Sequence, residues 1–280
     1  MERNLSKLEN IVRIIGLMLI TLVALSTIMP LYWMITGSFK IQLSAMSVPP
    51  EWFPNSPTLE NYNDLFGDKP TFRWLFNSIF AAGCISIGAI ATSTMAGYAF
   101  GKKRFVGDKA LFWLMLITMM LPHQVLLIPL FLMVTKLEWA NTYAGLIVPF
   151  FSYPLGVFLV KQYMHSIPNE LLEAARIDGA NEIRTFTTIV VPMAKPAIGA
   201  VGIFSFVAGW NEYLWQLVIS DKEHMLTLPV AVSRLSQGLG TTNFGLAMAG
   251  ATVAFIPMLI FFIMFQRFFI KGISVGALKG

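Results

Sequence analysis

Long apolar stretches separated by short charged segments dominate the chain. Six of them contain one charged residue or none: 14–39, 74–101, 110–135, 139–160, 196–220 and 235–266. Each is long enough for a helix that crosses a bilayer, which needs about 20 residues. The apolar residues run continuously instead of alternating, and this favours helices over the strands of a barrel. We therefore predict an all-α integral membrane protein with six transmembrane helices.

The composition supports a membrane protein and excludes several other classes. Charged residues make up 12% of the 280 positions, about half the roughly 25% of a soluble domain. Hydrophobic residues reach 56%, which excludes a disordered chain and argues against a soluble enzyme. Cys84 is the single cysteine, so a disulfide scaffold and a cysteine-rich metal site are excluded as well.

The basic residues predict the topology. If the N-terminus is cytoplasmic, 14 of the 20 Lys and Arg residues fall in inner segments and 6 in outer segments. This bias follows the positive-inside rule and predicts that both termini are cytoplasmic. The net charge of +5 then reflects topology, and we expect no nucleic-acid partner.

The predicted order of segments is a cytoplasmic N-terminus at 1–13, a first span at 14–39, an extracytoplasmic loop at 40–73 and a membrane core at 74–280. The first apolar run exceeds the 7–15 residues of a signal peptide core, so we interpret it as an uncleaved helix. The outer loop is rich in proline. It is expected to be extended, with one short helix near Leu59–Phe66.

The inner loop 166–196 differs from the other loops because it carries helix signals. Pro168 and Gly179 predict the start and stop of a short helix over Pro168–Asp178. Asn181 can cap a second helix, Glu182–Val191. Two short helices joined by a glycine turn form a protruding elbow. The alternative is a helical hairpin that lies on the lipid headgroups.

The residues of this loop carry a family resemblance. Glu173-Ala174-Ala175, then Asp178-Gly179-Ala180, then Ile189 and Pro192, resemble the EAA signature of binding-protein-dependent type I ABC importer permeases. The stretches 121–129, 141–146, 210–214 and 270–280 are similar to the carbohydrate branch of that family, in particular to the smaller maltose-type permease subunit. The resemblance covers nearly the whole chain.

The resemblance implies that the loop is a coupling helix, between the fourth and fifth spans, that docks on a cytoplasmic ATPase subunit. The docking residues it implies are Glu173, Ala174, Ala175, Asp178, Gly179 and Ala180. It also implies that the tail 271–280 contacts the ATPase, through Lys271, Gly272 and Lys279. Composition alone indicates only that this tail is flexible.

The resemblance further implies the partners. These are a second permease subunit, two ATPase subunits and an extracytoplasmic solute-binding protein, all at a bacterial cytoplasmic membrane. The cargo would be a sugar, a di- or oligosaccharide, moved inward by alternating access. The sequence contains no G-x-x-x-x-G-K-[ST] motif. We therefore expect no enzyme activity and no cofactor in this chain, with ATP and Mg bound by the partner ATPases.

Several polar residues within the spans are candidates for the substrate pathway. Glu212 is the one acidic residue in a predicted span, flanked by Trp210, Asn211 and Tyr213. It either faces the cargo or lies at the outer headgroup level. His123 and Gln124 follow Pro122, where a kink is expected. They either line the pathway or form a hydrogen bond between helices. The histidines fall in different compartments, so we expect no metal site.

The second span contains Gly83, Gly88, Gly97 and Gly101. Small residues permit close approach of helices. We interpret them as packing positions within this chain, with a subunit interface as the alternative.

Other functions remain as alternatives. A permease for phosphate, glycerol phosphate or an amino acid would share the loop, although anionic cargo would favour basic residues in the spans, and these contain none. A secondary transporter would need paired ionisable groups near mid-membrane. A membrane enzyme would need a nucleophile with its base, or a metal cluster.

Overall fold

A computed structural model describes residues 2–41, 47, 49–235 and 243–277, and all regular elements among them are helical. The all-α prediction is therefore confirmed for the described residues. The α-helices are α1 Glu2–Gly37, α2 Glu60–Gly67, α3 Thr71–Lys102, α4 Asp108–Met120, α5 His123–Lys136, α6 Tyr143–Ile147, α7 Pro154–Met164, α8 Asn169–Ile177, α9 Glu182–Thr185, α10 Val191–Met193, α11 Lys195–Asn211, α12 Leu214–Ile219, α13 Leu228–Leu235 and α14 Phe244–Ala277. Two 3₁₀ turns, Val148–Phe151 and Glu223–Met225, and a π-helix, Phe186–Val190, complete the elements.

Four helical stretches among the described residues are long and apolar enough to cross a membrane: Val12–Gly37, Thr71–Lys102, Tyr143–Met164 and Phe244–Gln266. The third of them comprises α6, the 3₁₀ turn Val148–Phe151 and α7. Two further pairs of helices pass the same test only when they are joined, and each pair is sharply bent. These are Asp108–Thr118 with His123–Lys136, and Glu182–Met193 with Lys195–Asn211. If each bent pair is one span, the count reaches the predicted six.

The predicted span 110–135 is not a single straight helix. The axes of α4 and α5 are bent by 100°. Leu121, which precedes the proline, adopts an extended conformation with φ −79° and ψ 125°. The ring of Pro122 disfavours a helical conformation at the residue before it. The kink expected at Pro122 is confirmed, and it is a complete break of the helix.

The predicted span 196–220 is also interrupted. α11 ends at Asn211 and α12 begins at Leu214. Glu212 lies in this gap with extended backbone angles, φ −67° and ψ 112°. The acidic residue therefore lies at a helix end, and not within a continuous helix.

The chain forms two compact units. The smaller unit comprises residues 1–70 and 232–255. In it the residues after α1 are bonded to α2: Tyr62 Oη lies 2.8 Å from Ser38 Oγ, and Asn61 Nδ2 donates to the carbonyls of Ser38 and Lys40 at 2.9 and 2.8 Å. The short helix predicted near Leu59–Phe66 is confirmed as α2.

The larger unit comprises residues 71–231 and 256–280. In it α3 packs closely against α7. A Cβ atom added at Gly97 would lie 2.6 Å from Val160 Cβ, and one at Gly101 would lie 2.6 Å from Met164 Cβ. A Cβ at Gly88 would overlap the ring of Phe151, whereas one at Gly83 would meet nothing within 4 Å. Packing within the chain is thus confirmed for three of the four glycines.

The last helix continues further than the sequence predicts. α14 runs to Ala277, so the prediction of a flexible tail is wrong for residues 271–277, which include Lys271 and Gly272. The helix continues through Pro257 in its middle and through Gly272 near its end, so neither helix-breaking residue stops it. Lys279 lies outside the described residues.

Candidate functional site

The elbow, residues 166–196, follows the predicted layout. Its first arm is α8, which begins after Pro168 and ends before Gly179. Gly179 has φ +79°, a left-handed conformation that glycine adopts at little cost. Ala180 N donates to the Ala175 carbonyl at 2.9 Å and Gly179 N to the Arg176 carbonyl at 3.0 Å. This pair of bonds is a Schellman motif, which closes the helix C-terminus.

The second arm begins at Asn181, as predicted. Its Oδ1 accepts a 2.8 Å hydrogen bond from Arg184 N, and this satisfies one of the free N–H groups of the first turn. The arm continues through α9, the π-helix and α10, and it meets α11 at a bend of 77°. Both helices predicted for this loop are confirmed.

The residues of the EAA signature do not all face the same way. Leu172 and Ala175, three positions apart on one face of α8, are buried at 8% and 7% exposure. Glu173, Ala174, Asp178 and Gly179 are exposed, and Ala180 is half-buried. Ala175 therefore faces this chain's own interior and is not part of the accessible surface.

Two exposed isoleucines on the elbow were missed by the sequence reasoning. Ile177 is 87% exposed and Ile183 is 74% exposed. They lie on either side of the Gly179 turn. The helical repeat carried a signal, since Ile177 falls off the face defined by Leu172 and Ala175. Contiguous exposed apolar surface marks contact sites, whereas single exposed apolar residues are ordinary, so the pair is a candidate contact only in combination with the signature residues beside it.

A hydrophobic core lies beneath the elbow. It joins the C-terminal ends of α3 and α7 and the N-terminal end of α11 to both arms of the elbow. Its buried members are Tyr98, Val160, Met164, Ile167, Leu172, Val190, Ala194, Ala197 and Val201. The elbow is therefore packed on the ends of the long helices, and it is more than a linker between them.

A polar cluster lies at the edge of this core. Glu182 Oε1 accepts a 2.5 Å hydrogen bond from the Tyr98 hydroxyl and lies 2.5 Å from Lys103 Nζ. The hydrogen bonds from Lys103 and Tyr98 hold the pKa of the Glu182 carboxyl below its ordinary value. The carboxylate is therefore ionised throughout the physiological range of pH.

The larger unit also contains a cavity of about 340 Å³. Helices α3, α4, α5, α7 and α11 contribute to its wall. Its lining residues are Ile85, Thr118, Met119, Leu121, His123, Phe150, Ser152, Tyr153, Pro154, Leu155, Ser205, Ala208, Gly209 and Glu212. The breaks at Leu121 and Glu212 both open into it, so the interrupted helices create the space.

Two of the six predicted pathway residues line this cavity. His123 and Glu212 do, and Glu212 Oε1 accepts a 3.0 Å hydrogen bond from Trp215 N. Gln124, Asn211 and Tyr213 are not among the lining residues. Trp210 is buried at 3% exposure, with its ring stacked on Phe206 at 6.4 Å.

The cavity also contains hydroxyl groups that the sequence reasoning did not select. Thr118, Ser152, Tyr153 and Ser205 all line it. Ser152 and Tyr153 immediately precede Pro154, which starts α7. A break signalled by proline inside an apolar stretch was the available indication, as it was at Pro122. No group of three or more His, Cys, Asp or Glu residues placed to hold a metal ion occurs among residues 2–41, 47, 49–235 and 243–277.

Several permease proteins with assigned names are similar to this chain over almost its whole length. The arabinooligosaccharides transport system permease protein AraQ of Bacillus subtilis is 34% identical over 262 residues, covering 92% of this chain and 93% of that protein. The trehalose/maltose transport system permease protein MalG of Thermococcus litoralis is 33% identical, covering 98% of each. The sn-glycerol-3-phosphate transport system permease protein UgpE of Escherichia coli O157:H7 is 32% identical, covering 87% and 89%.

The fold is also found among solved structures. A bacterial ABC transporter involved in the import of the acidic polysaccharide alginate contains a chain that superposes with a TM-score of 0.83 at 22% identity, covering 93% of this chain and 97% of that one. The family described as binding-protein-dependent transport system inner membrane component matches residues 92–275. The resemblance drawn from the EAA signature is confirmed, and the chain belongs to this family of ABC transporter permeases.

Proposed function

We propose that this chain is one of two permease subunits of an ATP-driven importer that moves an oligosaccharide into the cytoplasm. The observation that carries the proposal is the elbow. It presents Glu173, Ala174 and Asp178 on an exposed surface while its buried face is packed on the ends of three long helices. A surface that is exposed on one side and packed on the long helices on the other can transmit a movement from a bound protein to those helices.

The proposed partners follow from membership of the family. An ATPase subunit contacts the exposed surface of the elbow, with Ile177 and Ile183 as apolar contacts beside the signature residues. ATP and Mg are bound by the two ATPase subunits, and a solute-binding protein delivers the cargo from outside. A second permease subunit completes the membrane part. This chain performs no chemistry of its own.

The proposed topology has six spans, with α4 and α5 counted as one span and α11 in the fifth, and both termini in the cytoplasm of a bacterium. The supporting observation is the excess of basic residues in the predicted inner segments. In this orientation the elbow and the inner end of α3 lie on the cytoplasmic side, where the ATPases are.

The proposed mechanism is alternating access, in which the transport pathway opens to one side of the membrane at a time. Closure of the ATPase dimer moves the elbow, and the core beneath it passes that movement to α3, α7 and α11. These helices contribute to the wall of the 340 Å³ cavity, so its shape changes with the position of the elbow. His123, Glu212 and the hydroxyls of Ser152, Tyr153 and Ser205 then contact the cargo in this segment of the pathway.

Two relatives are named for the transport of arabinooligosaccharides and of trehalose or maltose, and this supports a sugar as the cargo. The residues that line the cavity support a cargo without charge. They offer hydroxyl groups, one imidazole and one carboxylate, and no Lys or Arg is among the described lining residues. Sugar hydroxyls need such donors and acceptors. The relative named for glycerol phosphate makes that anion the second candidate.

Copurification tests the role of the elbow. The chain would be extracted in detergent as wild type and as Glu173→Lys, Gly179→Asp and Asp68→Lys. We expect the ATPase subunit to copurify with wild type and with Asp68→Lys, which alters an exposed carboxylate far from the elbow in sequence. It should be lost from the two elbow variants. Retention in both would contradict docking at this surface.

The cargo requires a separate measurement. The complete importer would be reconstituted in liposomes, and uptake of a labelled arabino- or maltooligosaccharide would be measured beside uptake of glycerol phosphate. We expect ATP-dependent uptake of the oligosaccharide alone. Uptake of glycerol phosphate alone would establish the second candidate.

A further inference from the structure

The inner end of α3 is bonded to both arms of the elbow. Lys102 Nζ donates to the Ile167 carbonyl at 2.5 Å and to Asn169 Oδ1 at 2.8 Å, at the start of the first arm. Its neighbour Lys103 lies 2.5 Å from Glu182, at the start of the second arm. Two adjacent residues at the end of α3 thus bond both arms of the elbow, one at residues 167–169 and the other at Glu182.

Glu182 is the point where three elements meet. Its Oε1 atom is shared by the Tyr98 hydroxyl and Lys103 Nζ, both from the end of α3. Its Oε2 atom lies 4.0 Å from Arg176 Nη2, on α8. Tyr98 is itself fixed, because it is 6% exposed and its ring lies 5.4 Å from that of Phe186. The second arm is thereby bonded to a buried donor on α3.

Stability alone is a weak explanation for these bonds. The Lys103 and Glu182 side chains are 27% and 53% exposed, and exposed ion pairs contribute little because water screens them. The apolar core, with Leu172 and Val190 buried in it, already attaches the elbow to the helices. Apolar contact is non-directional, however, whereas hydrogen bonds have preferred angles. The polar bonds add a defined orientation to an attachment that exists without them.

We propose that Tyr98, Lys102, Lys103 and Glu182 form a latch that fixes the angle between the elbow and α3. The latch makes these residues positioning residues for transport: when the ATPase moves the elbow, α3 turns with it instead of sliding over it. The latch rests on the proposed function, because the movement that it transmits comes from the ATPase subunits.

The number of cargo molecules transported per ATP hydrolysed tests the latch. The complete importer, with partner permease, ATPases and binding protein, would be reconstituted in liposomes, and uptake and hydrolysis would be measured in the same sample. Tyr98→Phe removes one hydroxyl and keeps the ring, and Lys103→Met removes one charge and keeps the length of the side chain. We expect each to lower the ratio about fivefold or more, a coupling effect of ordinary size, with hydrolysis retained.

Two further variants serve as controls. Arg104→Met removes a charge from the residue next to Lys103, on an exposed side chain, and should leave the ratio unchanged. Lys103→Arg keeps a cation within reach of Glu182 and should restore most of the ratio. Subunit copurification and the midpoint of thermal unfolding should match wild type in all four variants.

The possible results separate the latch from the proposed function. An unchanged ratio in Tyr98→Phe and Lys103→Met would overturn the latch. So would uptake and hydrolysis that fall in parallel with the unfolding midpoint, because the bonds would then serve stability alone. An equal fall of the transport ratio in Arg104→Met would also overturn the latch, because the effect would then come from the loss of any positive charge in this loop. Failure of wild type itself to couple hydrolysis to uptake would refute the proposed function, and the latch with it.

Discussion

The elbow and the α4–α5 pair both turn the chain sharply, but the elbow has more hydrogen bonds and more buried apolar contacts at its turn. The elbow has a Schellman motif at Gly179, a capping side chain at Asn181 and a buried core beneath Leu172. The α4–α5 bend has an extended Leu121 followed by Pro122, flanked by Met120 at 81% and Val125 at 63% exposure. From this comparison we expect the elbow to keep its internal shape and the bend between α4 and α5 to be the more adaptable of the two.

The largest effect is expected where α3 packs against α7. Gly97→Ala would place a methyl group 2.6 Å from Val160 Cβ and 3.0 Å from Lys161 N. Overpacking of this kind costs about 1–3 kcal/mol or more. Thermal unfolding in detergent, followed by tryptophan fluorescence, should show a clearly lowered midpoint.

Gly83→Ala is the matched control on the same helix. An added Cβ there meets nothing within 4 Å, and alanine is the better helix former by about 0.5–1 kcal/mol. Its midpoint should equal that of wild type or exceed it. A similar lowering of the midpoint in both variants would contradict a special role for the close packing of α3 against α7 at Gly97.

The turn of the elbow should show the next largest effect. Gly179→Ala forces a residue with a Cβ into φ +79°, at a cost of about 1–2 kcal/mol. Because the space around Gly179 is open, the cost is conformational only. Amide hydrogen exchange of residues 169–185 should become faster, while exchange in α7 stays the same.

Gly199→Ala tests whether this effect depends on the backbone angle. Gly199 lies inside α11, and a Cβ there also meets nothing within 4 Å. This variant should not accelerate exchange in the elbow. If Gly179→Ala also leaves exchange in the elbow unchanged, the Schellman motif does not fix the turn.

The cap of the second arm should contribute less. Asn181→Ala removes the acceptor of the 2.8 Å bond from Arg184 N, which typically costs about 1 kcal/mol. Exchange should accelerate only in the first turn of α9. Asn181→Ser keeps a capping oxygen and should behave as wild type, whereas equal behaviour of the two variants would show that the cap is unimportant.

The smallest effect on stability is expected at the other turn. Pro122→Ala permits a helical conformation at Leu121, in a region with little buried surface, so unfolding should change by less than about 0.5 kcal/mol. The angle should nevertheless change. Spin labels at Trp113→Cys and Leu132→Cys, in a Cys84→Ser background, should report a longer and broader distance distribution than with proline. An unchanged distribution would contradict the idea that this bend is adaptable.

The sequence predicted local structure better than the arrangement of the interrupted spans. The elbow was predictable because Pro168, Gly179 and Asn181 act on their own backbone and its nearest turns. The kink at Pro122 was predictable for the same reason. The 100° angle between α4 and α5 was not, because an angle between helices depends on what packs against them.

In the candidate site, too, the local features were predictable and those that depend on packing were not. The EAA signature located the elbow, but the burial of Ala175 and the exposure of Ile177 depend on which face of α8 meets the core. The bonds of Tyr98 and Lys103 to Glu182 join residues about 80 positions apart, and no spacing in one sequence indicates such pairs. The packing of Trp210 against Phe206 was equally unpredictable, because it too depends on which face of the helix meets its neighbours.

The π-helix Phe186–Val190 in the second arm makes the elbow tolerant of a change in length. A π-helix accommodates an extra residue within an otherwise α-helical arm, so the α-helical residues on either side keep nearly the same phase. Deleting one residue there would let the arm close into a continuous α-helix with Glu182 still facing Lys103. In α8, by contrast, a deletion would rotate one end of the helix by about 100° relative to the other. The second arm should therefore tolerate a single-residue deletion in evolution more readily than the first.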